Sequence, residues 1–193
     1  TSIESMITCP LGWTLTYAAG LRPGATDALP EARTLAGSFA HALFEEVLMR
    51  PSPGWDELTP ERARDQLLAQ FDARVSTEAA LLNLPGQVAY TTRLRGQLGD
   101  AIAALVDQLK AGGWHPEATE KNVAELGGRF CGQPLRGSID LLIRRNDGRL
   151  GIVDFKLGGL PYRSKSLRAG TALQLAVYAK AAAGSADGLP PVA

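Results

Sequence analysis

The stretch Gly137-Ser138-Ile139-Asp140-Leu141-Leu142-Ile143-Arg144-Arg145-Asn146-Asp147-Gly148-Arg149-Leu150-Gly151-Ile152-Val153-Asp154-Phe155-Lys156 decides the fold. Its centre, Asn146-Asp147-Gly148, is a turn signal between two apolar runs. The pattern predicts a β-hairpin. Its first strand, about residues 135–144, carries Asp140, and its second, about 149–157, carries Asp154 and Lys156. Side chains alternate along a strand, so Asp154 and Lys156 share one face and Phe155 takes the other. Two carboxylates and an ammonium brought to one place form a set that binds a metal ion and activates water. An apolar-flanked carboxylate such as Asp154 in Ile152-Val153-Asp154 is costly without partners, which favours a functional role.

Working outward, residues 115–126 and 129–131 read as further strands, with a turn at Gly127-Gly128. Helices come before them. Thr1 and Glu4 have capping-box spacing, and Pro10 breaks or restarts that first helix. A helix is expected from Glu31 to Met49, stopping before Pro51. Thr59-Pro60-Glu61 starts another, expected to run to about Asn83. A third follows Pro85-Gly86 and ends at Gly112-Gly113, with Leu94, Leu98, Ile102, Leu105 and Leu109 at helical spacing. After the hairpin, residues 158–170 read as a loop, about 171–183 as a helix, and a further strand is expected near Pro190–Ala193. The class is α/β: a small mixed central sheet flanked by helices, with an added helical portion. Residues 1–113 form the helical part and 114–193 the core, together one structural domain.

The 193 residues carry no net charge, but the charge is unevenly placed. Residues 129–180 hold ten Lys/Arg and three acids, a balance of +7, and the rest of the chain balances at −7. A basic segment around a carboxylate cluster suits a polyanionic substrate, although a solvated basic face reads equally well. No apolar run is long enough for a membrane span. Cys9 and Cys131 are far apart and unpatterned, as in a reduced cytoplasmic protein. The sequence opens on Thr1, as expected of a piece of a longer chain.

Gly137-x-x-Asp140, Asp154-x-Lys156 and Gln174-x-x-x-Tyr178, preceded by Gly37-x-x-x-His41, resemble the P-D-(D/E)-x-K nucleases of the RecB type in order and spacing. Cys9-Pro10-Leu11 and Gly20-Leu21-Arg22-Pro23-Gly24 are similar to the nuclease domain at the C-terminal end of AddB-like helicase–nuclease subunits. The resemblance covers roughly residues 1–183. It implies a restriction-endonuclease-like sheet and a Mg²⁺-dependent, exonuclease-like deoxyribonuclease. It also implies DNA and a helicase domain or subunit as partners, with roles in end processing, repair and recombination. A catalytically silent DNA-binding or guiding module, or a protein-interaction module, is the alternative.

The chemistry of each residue can be given beside the resemblance. Mg²⁺ takes oxygen ligands and keeps several waters, so Asp140 and Asp154 suffice as protein anchors, with the Phe155 carbonyl as a further ligand. Lys156 would hold the attacking water or act on developing charge. Taken alone, Asp140 reads equally as a strand-end turn residue, and Asp154 with Lys156 as a structural ion pair. The resemblance places His41 in or beside the metal shell; imidazole suits Mn²⁺ better than Mg²⁺. It turns Gln174 and Tyr178, one helical turn apart, toward the site, although both could equally fringe the core. Glu120 matches a glutamate of many relatives. Arg163, Lys165 and Arg168 are candidate phosphate contacts. Many AddB-like domains hold an iron–sulfur cluster, and Cys9 fits its early cysteine. The 193 residues lack the three late ones, so no cluster is expected in them, and Cys9 would serve only in a longer parent chain.

Overall fold

The computed structural model describes residues 2–21, 32–126, 129–130, 133–134, 137–158, 164–165, 167–170 and 173–185. Its first elements are two short helices, α1 (Ser2–Thr8) and α2 (Pro10–Trp13), followed by a π-helical turn over Thr14–Ala18. Pro10 restarts the helix from its first position, where a missing N–H costs nothing, and Cys9 Sγ accepts from Gly12 N at 3.4 Å. Helix α3 (Ala32–Met49) buries Ala36, Phe39, Ala40, Leu43, Phe44 and Val47 on one face. Helix α4 (Pro60–Glu78) starts at Thr59, whose side chain accepts from Arg62 N at 3.3 Å. It does not run to Asn83 as expected. Ala79 leaves the helical region at φ −135°, ψ 42°, and Ala80–Asn83 continues as a 3-10 turn. Ala79 and Leu82 are both fully buried, so the break follows the packing of this corner. Helix α5 (Val88–Ala111) buries Leu94, Leu98, Ile102, Val106 and Leu109 and ends at the expected glycine pair, with Gly113 at φ 68°. Among the described residues no helix is long and apolar enough to cross a membrane.

Strand β1 (Trp114–Asn122) is shorter than expected, because Asn122 Oδ1 accepts from Ala124 N at 3.0 Å and turns Val123–Leu126 into a 3-10 segment. Strands β2 (Arg129–Phe130) and β3 (Gln133–Pro134) pair as a small hairpin of their own. Strands β4 (Ser138–Arg145) and β5 (Leu150–Val153) form the expected hairpin. At its turn Gly148, φ 87°, donates to Arg145 O at 2.9 Å, and Asp147 Oδ1 accepts from Arg149 N at 3.2 Å. Helix α6 (Gln174–Ser185) is the last element. The turn at Gly127-Gly128, Cys131 and the strand expected near Pro190 fall outside the described residues.

The main sheet has the order β1-β4-β5, antiparallel throughout the described strands. Central strand β4 is buried on both faces. Leu141 and Ile143 join the large cluster built by α3, α4 and α5, while Leu142 joins Val123, Tyr178 and Ala181 under α6. Helices therefore flank the sheet on both sides, which is the α/β, restriction-endonuclease-like arrangement. Gly137 shows why that side needs a residue without a side chain, since a Cβ there would lie 2.7 Å from the Tyr178 hydroxyl.

Candidate metal centre and active site

The β4–β5 ladder pairs Leu141 with Val153, so the next residues outward are Asp140 and Asp154. The strand was expected to continue through Lys156, yet it ends at Val153. The reason is a hydrogen bond: Phe155 N donates to the Asp140 carboxylate, Oδ2, at 2.6 Å, in place of a ladder partner. The two carboxylates thus stand at the point where the ladder stops. Asp154 and Lys156 lie just beyond the strand and still share a face, with Lys156 Nζ 2.5 Å from Asp154 Oδ1. Phe155 points the other way, as alternation requires. It packs on Phe44 at 4.9 Å and edge-on against His41 at 5.6 Å, which pins the segment to α3.

His41 comes from one turn of α3 before Phe44 and faces the same segment. Its Nε2 lies 3.2 Å from the Phe155 carbonyl oxygen and 3.8 Å from Asp140 Oδ2. Its Nδ1 lies 3.5 Å from Glu120 Oε1. Glu120 reaches the site through an unusual backbone. It is bracketed in the β1–β4 ladder by Thr119↔Leu141 and Lys121↔Ile139, which sets it across from Asp140. It has φ 47°, the left-handed region that side chains other than glycine disfavour. Such strain concentrates where a side chain must be aimed. The sequence patterns contain no sign of it.

Together His41, Glu120 and Asp140 offer ligand atoms within 4.8 Å of one another. Neighbouring ligands on an octahedral cation with bonds near 2.1 Å stand about 3 Å apart, so the spacings of His41 Nε2 from the Phe155 carbonyl (3.2 Å) and from Asp140 Oδ2 (3.8 Å) suit a divalent ion with small adjustments. The electrostatics agree. Burial pushes the Asp140 carboxyl above its ordinary range; the Phe155 N–H opposes this, the Asp154 charge adds to it, and His41 and Lys156 oppose it. A largely buried carboxylate of this kind gains from a cation.

Asp154 is placed differently from Asp140. Its Oδ1 takes both Lys156 Nζ and, at 2.9 Å, Gln174 Nε2. Lys156 Nζ is also 3.8 Å from Asp140 Oδ2, so the ammonium sits between the two carboxylates. Tyr178 lies behind Gln174 at 7 % exposure, with its side-chain hydrogen bond to Gln174 and its phenol pushed up by burial. The chain of contacts runs Tyr178, Gln174, Asp154, Lys156. Of the candidate phosphate contacts, Lys165 and Arg168 are exposed, and Arg163 lies outside the described residues. Cys9 is an exposed free thiol capping α2. His115, next to Pro116, donates to Asn146 at 2.7 Å and braces the hairpin turn.

One contributor escaped the sequence reading. Glu4 Oε1, from α1, accepts from Leu173 N at 2.8 Å and Gln174 N at 3.1 Å. It caps the helix that presents Gln174, across 169 positions of chain. The capping-box spacing with Thr1 had suggested only a local role. Glu4→Ala is expected to lower stability by about 1 kcal/mol, the ordinary loss for an N-cap, and Tm by roughly 2–4 °C. Glu4→Gln keeps an accepting oxygen and should recover most of the loss in thermal denaturation. Equal Tm values for Glu4→Ala and the parent chain would show the cap is idle.

No curated protein and no solved structure matches the chain. The family model of the PD-(D/E)XK nuclease superfamily matches residues 1–192. That match takes in every element that positions the site, from the capping glutamate of α1 to the helix of Gln174, and so the chain belongs to the PD-(D/E)XK nuclease superfamily.

Proposed function

We propose that this is a metal-dependent deoxyribonuclease domain of the RecB/AddB kind, exonuclease-like, working in the cytoplasm with a helicase domain or subunit in DNA end processing, repair and recombination. One observation carries the reading: His41, Glu120 and Asp140 converge within 4.8 Å, and Lys156 Nζ stands 3.8 Å from the same Asp140 carboxylate. His41 Nε2, Asp140 and the Phe155 carbonyl would hold Mg²⁺ or Mn²⁺, with Asp154 as the second carboxylate and Glu120 at the edge. When bound, the cation shields the phosphate and lowers the pKa of a water.

The residues of the chain do the rest. For His41 to ligate through Nε2, its proton must sit on Nδ1, where Glu120 accepts it and fixes the ring. Lys156 holds the attacking water and donates to the charge that builds on the phosphoryl oxygens. Asp154 keeps the ammonium in place, Gln174 fixes Asp154, and Tyr178 fixes Gln174. Arg163, Lys165 and Arg168 meet phosphates beyond the scissile one. Cys9 would be a ligand only to a cluster completed by cysteines of a longer chain.

The test is cleavage of end-labelled single- and double-stranded DNA with Mg²⁺, Mn²⁺ or chelator. We expect cleavage with either metal, faster in Mn²⁺ because imidazole suits it better, and none with chelator. DNA binding without cleavage in any metal would return the domain to the silent, DNA-guiding alternative.

A further inference from the structure

A groove of about 810 Å³ opens beside the candidate site, between α3, α5 and the segment Asp154–Gly158. Its position makes it continuous with the site, because His41, Asp154, Phe155 and Lys156 line it too. On the α5 side it follows residues from Tyr90 to Leu105, about 22 Å along the helix at 1.5 Å per residue. Its walls combine three kinds of group. Leu94, Leu98 and Leu105 are apolar, Tyr90 is aromatic, and Arg33 and Arg93 are cationic, one on each helix.

The two arginines differ from others in the helical half of the protein. Arg50 pairs with Glu46, Arg64 with Asp100, Arg74 with Glu78, and Arg95 with Asp72. Among the described residues, Arg33 and Arg93 have no ion pair and no hydrogen-bond acceptor. Among the described residues that line the groove the one acid is Asp154, which is already engaged by Lys156. Two guanidinium groups facing a common groove without an acid partner among the described residues attract an anionic ligand. Tyr90 and Arg93 are three residues apart on α5, hence on one face, so an aromatic surface and a cation sit side by side.

We propose that this groove takes single-stranded DNA leading to the candidate metal centre, with Arg33 and Arg93 on backbone phosphates and Tyr90 stacked on a base. The inference rests on the nuclease reading and names its substrate class. Alternating cationic and aromatic groups beside apolar walls are what an unpaired strand needs, since its phosphates and base faces are both available. A duplex hides its base faces, so Tyr90 and the leucine walls would gain nothing from it. The apolar lining also separates this groove from a plain basic patch, which needs no walls.

The experiment is anisotropy of fluorescein-labelled oligothymidylate and of a hairpin duplex, in chelator, so that binding is read without cleavage. The Arg33→Glu, Arg93→Glu double variant should bind the single strand at least about tenfold more weakly, and lose about 1.4 units of the salt slope. Both arginines are exposed and, among the described residues, unpaired, so the variant should keep its fold. Tyr90 is partly packed on the core, and Tyr90→Leu preserves that apolar contact without the ring face. It should weaken single-strand binding by about tenfold, Tyr90→Phe should restore it, and duplex binding should barely change with either. Wild-type affinity in the arginine variant, or equal losses on single strand and duplex for Tyr90→Leu, would overturn the proposal. The nuclease reading fails separately: a parent chain that binds the oligonucleotide but cleaves nothing in Mg²⁺ or Mn²⁺ sinks that reading and leaves the groove standing.

Discussion

Asp140→Asn is expected to abolish DNA cleavage, by at least about a thousandfold, because several kcal/mol of charge stabilisation goes with the cation it anchors. Its effect on the metal-free protein should be the reverse. The Asp140 side chain is only 10 % exposed, and burial raises its pKa, so its charge is a cost to the folded state at neutral pH. An asparagine of the same shape removes that charge and can still accept the 2.6 Å bond from Phe155 N. Without metal, the variant should therefore melt at or above the parent temperature. The decisive reading is the response to metal. A site saturated a hundredfold over Kd adds about 2.7 kcal/mol, roughly 5–10 °C in a chain of this size. The parent should show such a shift with Mn²⁺ and Asp140→Asn should not. Asp154→Asn should also lose cleavage, but by a different route, since its carboxylate is committed to Lys156 and Gln174. It should retain part of the metal shift. Near-parent cleavage by Asp140→Asn would remove the metal assignment.

The hairpin was legible because its signals are local. Asn146-Asp147-Gly148 has one good backbone solution, and Leu141 to Ile143 with Ile152 and Val153 supply the strands. The helices α3, α4 and α5 were legible for a similar reason, from apolar spacing and the Thr59-Pro60 and Gly112-Gly113 signals. What could not be read was decided by contacts distant in sequence. The early end of β5 depends on Asp140 taking the Phe155 N–H across 15 positions. The φ of Glu120 depends on what β4 and α3 place opposite it. The role of Glu4 depends on α6 arriving at its carboxylate.

Charge shows the same contrast in another form. The +7 balance of residues 129–180 drew attention to that segment, yet several of its cations are satisfied within the sheet and its hairpin turn. Arg144 pairs with Glu117, and Arg145 and Arg149 both approach Asp147. Arg33 and Arg93 belong to the part of the chain that balances at −7, and among the described residues neither has an acid partner. A charge count along the chain ignores which acids folding brings within reach. The groove between α3 and α5 is where the difference between the linear and spatial balance becomes chemically useful.

Lys156→Ala should reduce cleavage by at least about a hundredfold, the scale for removing one donor aimed at developing charge. Its metal response should separate it from Asp140→Asn. Lys156 Nζ lies 2.5 Å from Asp154 and 3.8 Å from Asp140, so in the metal-free protein it neutralises the very carboxylates a cation would use. Removing the ammonium leaves two carboxylates with side-chain exposures of 10 % and 12 % and less to balance them. The metal-free variant should therefore melt below the parent, and the stabilisation by Mn²⁺ should be at least as large as in the parent. Lys156→Met, which keeps most of the stem, should behave like the alanine variant if the charge is what matters. A variant that loses the metal shift together with activity would show the lysine builds the site instead of acting on the reacting phosphate. Cleavage at the parent rate would deny it any part. The opposite signs expected for Asp140→Asn and Lys156→Ala in the metal-free melt follow from one fact, that a single ammonium stands between two desolvated carboxylates.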